Sequence, residues 1–429
     1  MLLGIEARIL GARGHGVGLR YAGHPMAEPA LTLNSTWLRN RVAELGLRQW
    51  WLAEQVGVDR KTVLRWVNGQ VRSIQPANAR VLAGVLGCRV DEMLLQAAAQ
   101  QLATPEDQRA AGLALAGSAL MDRLGPVGEW NVIEQLVRAA AVPDLPVHVL
   151  GRLYHQLCVA CWRQDKLDEA ARHNDSALDM ARRCDDRALL GDALGSRANL
   201  QFWRGELPAA LASWAQALAL APWLTPRQRG GLHSNLGASL VETGSLARGG
   251  AELQAALACF DIEGTPMNHS IARSHLALLA LAQGDVERAS HEAARSQGLA
   301  QRADYRRGLA LAPLLLAQAA ALQGRAAHAR ELLAQGLRAF AEIGVDDALN
   351  HVLAARTERA LGDGGAALAA AGRALERAAG FPLEQAAALH EQALAQALLG
   401  QAAPARASRQ AAATLYARCG AAEMAAQLA

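Results

Sequence analysis

From Leu102 onward the chain is self-similar, and the period of that similarity restricts the fold more than any other feature. Aligned turn segments read Gly125-x-Val127, Asp165-x-Leu167, Gly205-x-Leu207, Gly244-x-Leu246, Gly284-x-Val286, Gly324-x-Ala326, Gly362-x-Gly364 and Gly400-x-Ala402. Their spacings are 40, 40, 39, 40, 40, 38 and 38 residues. An alanine- and leucine-rich helical stretch precedes each turn and another follows it, several ending in Ala-Leu, as at Ala177-Leu178, Ala217-Leu218, Ala256-Leu257 and Ala374-Leu375. A helical hairpin of this size cannot bury its apolar face alone. Copies must therefore stack and share one continuous core.

The fullest copy runs from Arg204 to Pro222, and Asn235-Leu236-Gly237 supplies the other half of the signature. These copies resemble tetratricopeptide repeats, in which small residues at fixed places let paired helices approach and a proline stops the second helix. The period exceeds the usual ~34 residues, an excess that helices longer by about a turn would absorb. The resemblance implies an all-α chain in which residues 97–429 form a right-handed solenoid of about eight hairpins, with the first helices lining a concave groove. The last three copies lose the glycine and aromatic anchors and become alanine-rich; packing units, a cap and a dimerisation surface all fit them.

Ahead of the repeats, Gln49 to Gly69 reads Q-W-W-L-A-E-Q-V-G-V-D-R-K-T-V-L-R-W-V-N-G, a complete helix–turn–helix. Ala53 is small where the helices cross, and Gly57 stands where the turn needs positive φ. Val63 and Trp66 should face inward with Leu52 and Val56. Asp59 can cap the second helix and leave Arg60, Lys61 and Thr62 on its exposed first turn. Flanking helices are expected at Thr36–Leu45, with Leu38, Val42 and Leu45 on one side. Others should start at Pro76, with Val81, Leu82, Val85 and Leu86 as the apolar stripe, and at Asp91. This five-helix unit, residues 34–96, resembles the Cro/repressor-type (XRE) family. Trp50-Trp51 departs from the polar residues usual there, and one indole is expected to stay exposed or to pack on the next domain.

That resemblance implies double-stranded operator DNA as a partner. Gln49 opens the first motif helix, where the family uses it against phosphate or beside a recognition side chain. Arg60 and Lys61 could reach guanine O6/N7, Thr62 a phosphate or a thymine methyl, and Arg65 extends the same face. Arg72 follows the W-x-N-G turn, near where the family touches the DNA backbone. Arg39, Arg41 and Arg80 read equally well as ordinary surface charge.

Charge agrees with this division. Residues 34–90 hold nine basic and three acidic side chains, while residues 91–429 hold 31 basic and 35 acidic. A basic head on a mildly acidic body suits a DNA-binding module joined to a sensing domain. No apolar run is long enough to span a membrane, so a cytoplasmic protein is expected. Residues 1–33 contain Gly11, Gly14, Gly16 and Gly18 without the spacing or the G-K-[ST] ending of a phosphate loop. A disordered extension, or a start placed too early with Met26 as the true first residue, is expected there.

Little in the chain suggests catalysis. No H-E-x-x-H, Walker, G-x-S-x-G or kinase signature occurs, so no enzyme activity is expected. Cys158-Val-Ala-Cys161 has metal or redox spacing, but no second C-x-x-C or H-x-x-x-H completes a zinc set. It reads as core packing, and neither metal nor cofactor is expected.

The groove carries more information. Counting from each turn residue places Arg152, His155, Gln156, Trp162 and Arg163 on the concave face of the second hairpin. Asp192, Asn199, Phe202 and Trp203 follow, then Ser234, Asn235 and Glu242, then His275, Gln318, Arg356, Arg359 and His390. Asn199 and Asn235 hold places where tetratricopeptide proteins bind a peptide backbone, because an amide offers a donor and an acceptor together. Arg152 and Arg163 could take a carboxylate, and Trp162, Phe202 and Trp203 could wall the groove. The residues expected to hold the ligand are Arg152, His155, Trp162, Asn199, Trp203, Asn235 and Gln318; solvated polar faces are the alternative.

A Cro-type head followed by such repeats resembles the peptide-sensing regulators of the RRNPP group. This implies a homodimeric transcription regulator whose groove takes a peptide or a protein. The alternative is a DNA-tethered scaffold that recruits a protein partner without a small effector.

Overall fold

A computed structural model describes residues 31–33, 35–68, 70, 71, 73–88, 90, 93 and 104–429. Two units divide the chain: one takes in residues up to Leu120 and Trp130–Ala160, the other Met121–Glu129 and Cys161–Ala429.

In the first unit, helices α1 (Ser35–Glu44), α2 (Gln49–Val56), α3 (Arg60–Val67) and α4 (Pro76–Leu86) build the head. Leu38, Leu52, Val63, Trp66, Leu82 and Met93 share its core. Gly57 takes φ 73° at the end of α2, and its N–H returns to the carbonyls of Ala53 and Glu54. Trp50 is 53% exposed, whereas Trp51 is half-buried.

Three features differ from expectation. Leu45 is 41% exposed because α1 stops at Glu44 and Gly46, at φ 63°, turns the chain. Val81 is exposed too. The buried stripe of α4 is Ala79, Leu82, Ala83 and Leu86, and Val81 lies about 100° round the helix from Leu82. Leu31–Thr32 (β1) pairs antiparallel with Ser73–Ile74 (β2), and Leu33 is buried in the same core. The head thus recruits chain ahead of residue 34 and includes a short ribbon in an otherwise helical unit. Met93 is helical and fully buried, while Asp91, Glu92 and Leu94 lie outside the described residues.

Beyond the head come α5 (Pro105–Leu115), α6 (Leu120–Leu124), α7 (Trp130–Ala140) and α8 (Val147–Trp162). Helix α7 buries Ile133, Leu136, Val137 and Ala140, the spacing of one helical face. Gly112 allows α5 its approach: a Cβ there would lie 2.6 Å from the Ala140 carbonyl oxygen.

The second unit consists of stacked hairpins. They pair α9 (Leu167–Arg183) with the end of α8, then α10 (Arg187–Trp203) with α11 (Leu207–Leu218), α12 (Pro226–Glu242) with α13 (Leu246–Ile262), and α14 (Pro266–Gln283) with α15 (Val286–Arg302). The remaining pairs are α16 (Arg306–Leu322) with α17 (Ala326–Glu342), α18 (Ala348–Ala360) with α19 (Gly364–Arg377), and α20 (Pro382–Leu398) with α21 (Ala402–Arg418), before the short α22 (Ala422–Leu428). Many of these helices are 17 residues long, which accounts for the extended period.

Left-handed residues mark the hairpin turns where the repeat alignment put them: Asp165, Gly205, Gly244, Gly284, Gly324, Gly362 and Gly400. Gly125 is different. Its N–H still bonds the Met121 carbonyl in helical fashion, Pro126 follows, and the positive φ falls on Gly128. The first copy is therefore irregular. Elsewhere small residues set the packing: a Cβ on Gly237 would stand 3.0 Å from the Gly249 carbonyl oxygen.

The superhelix also closes on itself. Leu207 N–H donates to the Cys419 carbonyl at 3.3 Å, and Trp203 meets Phe381 edge-on at 5.7 Å between ring centroids. A Cβ on Gly205 would lie 2.8 Å from Cys419 Sγ, and one on Gly420 2.8 Å from Pro208 Cδ. Residues about 200 positions apart thus form one turn of superhelix around an inner face.

Candidate functional site

In the head, Asp59 begins α3 with extended backbone and accepts from Thr62 twice, from its N–H at 2.9 Å and its hydroxyl at 2.6 Å. Those bonds, the hydroxyl's first, hold the Asp59 carboxyl below its usual range. The cap leaves Arg60, Lys61 and Arg65 exposed, and none forms an ion pair with another described residue. Thr62 is half-buried, with its hydroxyl proton given to Asp59. Gln49 is the half-buried first residue of α2. Arg72 lies outside the described residues.

Two other arginines are structural. Arg39 donates to the Val67 carbonyl through Nε and Nη2 at 3.2 and 3.0 Å, and Arg41 donates to the Leu86 carbonyl at 3.3 Å. Each satisfies a carbonyl at the C-terminal end of a helix, α3 and α4 respectively, which a reading of spacing alone does not reveal.

Of the groove residues, Arg152 and His155 lie in the first unit, exposed and half-buried respectively. Gln156, expected on the concave face, is instead buried and donates to the Leu115 carbonyl at 3.0 Å. The second unit holds Trp162, Asn199, Trp203, Asn235 and Gln318. Asn199 and Asn235 stand on the neighbouring first helices α10 and α12, the former buried and the latter half-buried. The Gln318 amide oxygen is buried with no hydrogen-bond partner. Trp162 is covered by its neighbour, the Arg163 guanidinium sitting 4.5 Å from its ring centroid. Phe202, expected as a groove wall, is core against Trp203 and Trp214. Phe381 covers Trp203 in turn, so this indole closes the ring of repeats and is not an open wall.

A second set of residues faces the inside of the superhelix; Arg163, Glu242, His275, Arg356 and Arg359 are among those the repeat count put on the concave face, whereas Asp165, Tyr305, Arg307, Asp347, Glu384, Glu391 and Tyr416 are not. Arg307 pairs with Asp347 at 2.6 Å, and Arg356 and Arg359 pair with Glu391 at 2.8 and 3.2 Å. Around them stand Arg163, Asp165, Glu242, His275, Tyr305, Glu384 and Tyr416, from hairpins far apart in sequence, each sensing charges across the bore. Desolvation within the concave face pushes the Glu242 carboxyl up to about 7, against the opposing pull of Arg356. Burial, reinforced by Asp347, Glu242 and Asp165, raises Glu384 to about 8. Burial beside Arg163 lowers His275 to about 4, so its ring is neutral at pH 7. Glu391 behaves oppositely: burial would raise it, but Arg356 and Arg359 outweigh that and keep it ionised. The result is a polar bore with paired arginines and carboxylates short of cations, suited to a ligand with both charges and backbone amides.

The sequence did carry a faint signal for this set. Asp165 stands where six later copies have glycine, and Asp347 caps α18 through the Asn350 N–H at 3.1 Å. Each looks like a local turn or cap until the superhelix brings them together.

No protein-family model matches the chain, and no curated protein matches it. Among solved structures, it is similar to a Rap protein complexed with competence and sporulation factor, at 14% identity and TM-score 0.58, over 90% of this chain and 99% of that one. Weaker likenesses are to aspartyl phosphate phosphatase F from Bacillus subtilis (12% identity, TM-score 0.49, 90% of this chain and 96% of that one) and to Bacillus thuringiensis PlcR in complex with the peptide PapR7 and DNA (12%, 0.33, 74% and 98%). At 14% identity, what the chain shares with the Rap protein is the helical-repeat fold.

Proposed function

We propose that the chain is a sequence-specific transcription regulator, working as a homodimer in the cytoplasm, whose repeats sense a peptide. The observation that carries this reading is α3, whose capped first turn holds Arg60 and Lys61 outward, with Arg65 exposed in its last turn, while the head's core closes without them. Such a turn matches the part of a recognition helix that reads base edges in a major groove. The second half is supported by the charged cluster of the bore, which suits a ligand with both charges and backbone amides; Asn199 and Asn235 on neighbouring first helices and the unpartnered Gln318 oxygen would add amide partners for an extended peptide. None of the described helices is long and apolar enough to cross a membrane. No catalytic role is assigned to any residue.

DNA fragments selected by the purified protein, with and without culture extract, test both halves. The expected product is an inverted repeat with half-sites about 34–36 Å apart, or a multiple, bound differently once extract is added. Absence of any enriched sequence would contradict DNA reading. Enrichment indifferent to extract would favour the DNA-tethered scaffold.

A further inference from the structure

The sequence directs attention to Cys158 and Cys161 as a pair, but the fold gives Cys161 other company. Cys161 lies in the last turn of α8 and is fully buried. Across the turn at Asp165, Glu169 and His173 stand four residues apart on α9, hence on one face of that helix. The Cys161 thiol sulfur, a Glu169 carboxylate oxygen and a His173 ring nitrogen lie within 4.8 Å of one another.

We propose that Cys161, Glu169 and His173 form a binding site for a divalent metal ion of the zinc class. Ligand atoms around a tetrahedral ion at ~2.0–2.3 Å stand roughly 3.3–3.8 Å apart, so small rotamer changes complete the arrangement. One thiolate, one imidazole and one carboxylate favour zinc over magnesium or calcium, which prefer oxygen alone. Three protein ligands leave a fourth position for water. Entry is possible because Glu169 and His173 are half-buried, while the sulfur is shielded within the hairpin. The ion would displace contacts that all three groups already make, and would need the thiol and the imidazole deprotonated, so its affinity should rise with pH. It would also clasp the end of α8 to the start of α9, fixing the segment that carries Trp162, Arg163 and Asp165 at the edge of the bore. The site is independent of whether the bore takes a peptide.

Cobalt is the practical probe. Full-length protein stripped with chelator and titrated with Co2+ should develop a thiolate-to-metal charge-transfer band, with the visible bands of four-coordinate cobalt, saturating at a single equivalent and reversed by Zn2+. Cys161→Ser should abolish the charge-transfer band. His173→Ala and Glu169→Gln, at half-buried positions that tolerate change, should each weaken cobalt binding by roughly tenfold or more while circular dichroism stays unchanged. Absence of any band in the wild-type protein would overturn the proposal. So would a band of undiminished affinity in both the His173 and Glu169 variants, or one that survives Cys161→Ser, since it would then arise at another of the chain's six cysteines.

Discussion

The head and the repeat unit solve opposite problems with the same element. The head packs large side chains, Leu38, Leu52, Trp66 and Met93 among them, around one centre and turns Arg60, Lys61 and Arg65 outward. The repeats pack alanine and glycine between helices and turn many of their charges inward, toward a bore assembled from distant hairpins. A core of large side chains localises stability, so the head should fail as a unit when one anchor goes. A core of small residues spreads stability along a stack, so the repeats should lose function before they lose fold.

The contrast is broken most severely at Trp66. Truncating a buried aromatic costs about 3–5 kcal/mol, enough to unfold a small head, so Trp66→Ala should abolish DNA binding while calorimetry shows the repeats melting as before. A folded head with selectively lost binding would make Trp66 a contact instead. The inner face is probed next. Removing both amides in the Asn199→Ala, Asn235→Ala variant leaves ligand backbone groups unpaired, at about 1–3 kcal/mol each. Effector response should vanish with melting temperature and effector-free DNA affinity unchanged; an intact response would move the ligand toward other bore residues. Phe381→Ala should loosen the ring by about 0.5–1.5 kcal/mol beyond its lost area, seen as faster hydrogen exchange at Leu207, whose N–H bonds Cys419.

The smallest effect is in the pH response. Below about 4.5 the Glu384 carboxyl is protonated whether the chain is folded or not. Between there and about 8 only the folded state keeps the proton, so stability falls as pH rises, and above about 8 the loss is complete. Glu384→Gln removes that loss. It should raise the melting temperature by a few degrees at about pH 9 and leave it unchanged at about pH 4. Equal melting at both pH values would show that the bore does not desolvate this carboxyl.

Legibility in the sequence follows the same division. The head is one contiguous motif, so Gly57, Asp59 and Trp66 reveal their places through spacing, and the structure puts each there. Leu45 and Val81 misled because apolarity was counted past the end of a helix in one case and off the buried stripe in the other. In the repeats the period located the turns well, since positive φ there demands glycine or a tolerant aspartate. It also proposed an inner face for each hairpin. What a period cannot show is which hairpins meet across the bore. Asp165, Asp347 and Glu384 acquire their meaning only from superhelical closure, and Trp203 proved to be a closing residue for the same reason, whereas Phe202 is core within its own hairpin against Trp214.

The central claim is that the head reads DNA through the first turn of α3 while the bore acts on it from elsewhere. It is tested most directly by the operator affinity of the Arg60→Ala, Lys61→Ala double variant, measured by fluorescence anisotropy against the wild-type chain at one salt concentration. The account predicts a loss of about 1–3 kcal/mol for each side chain that reads a base, with relaxed preference at the matching positions and an unchanged fold. Operator affinity equal to that of the wild type would contradict it.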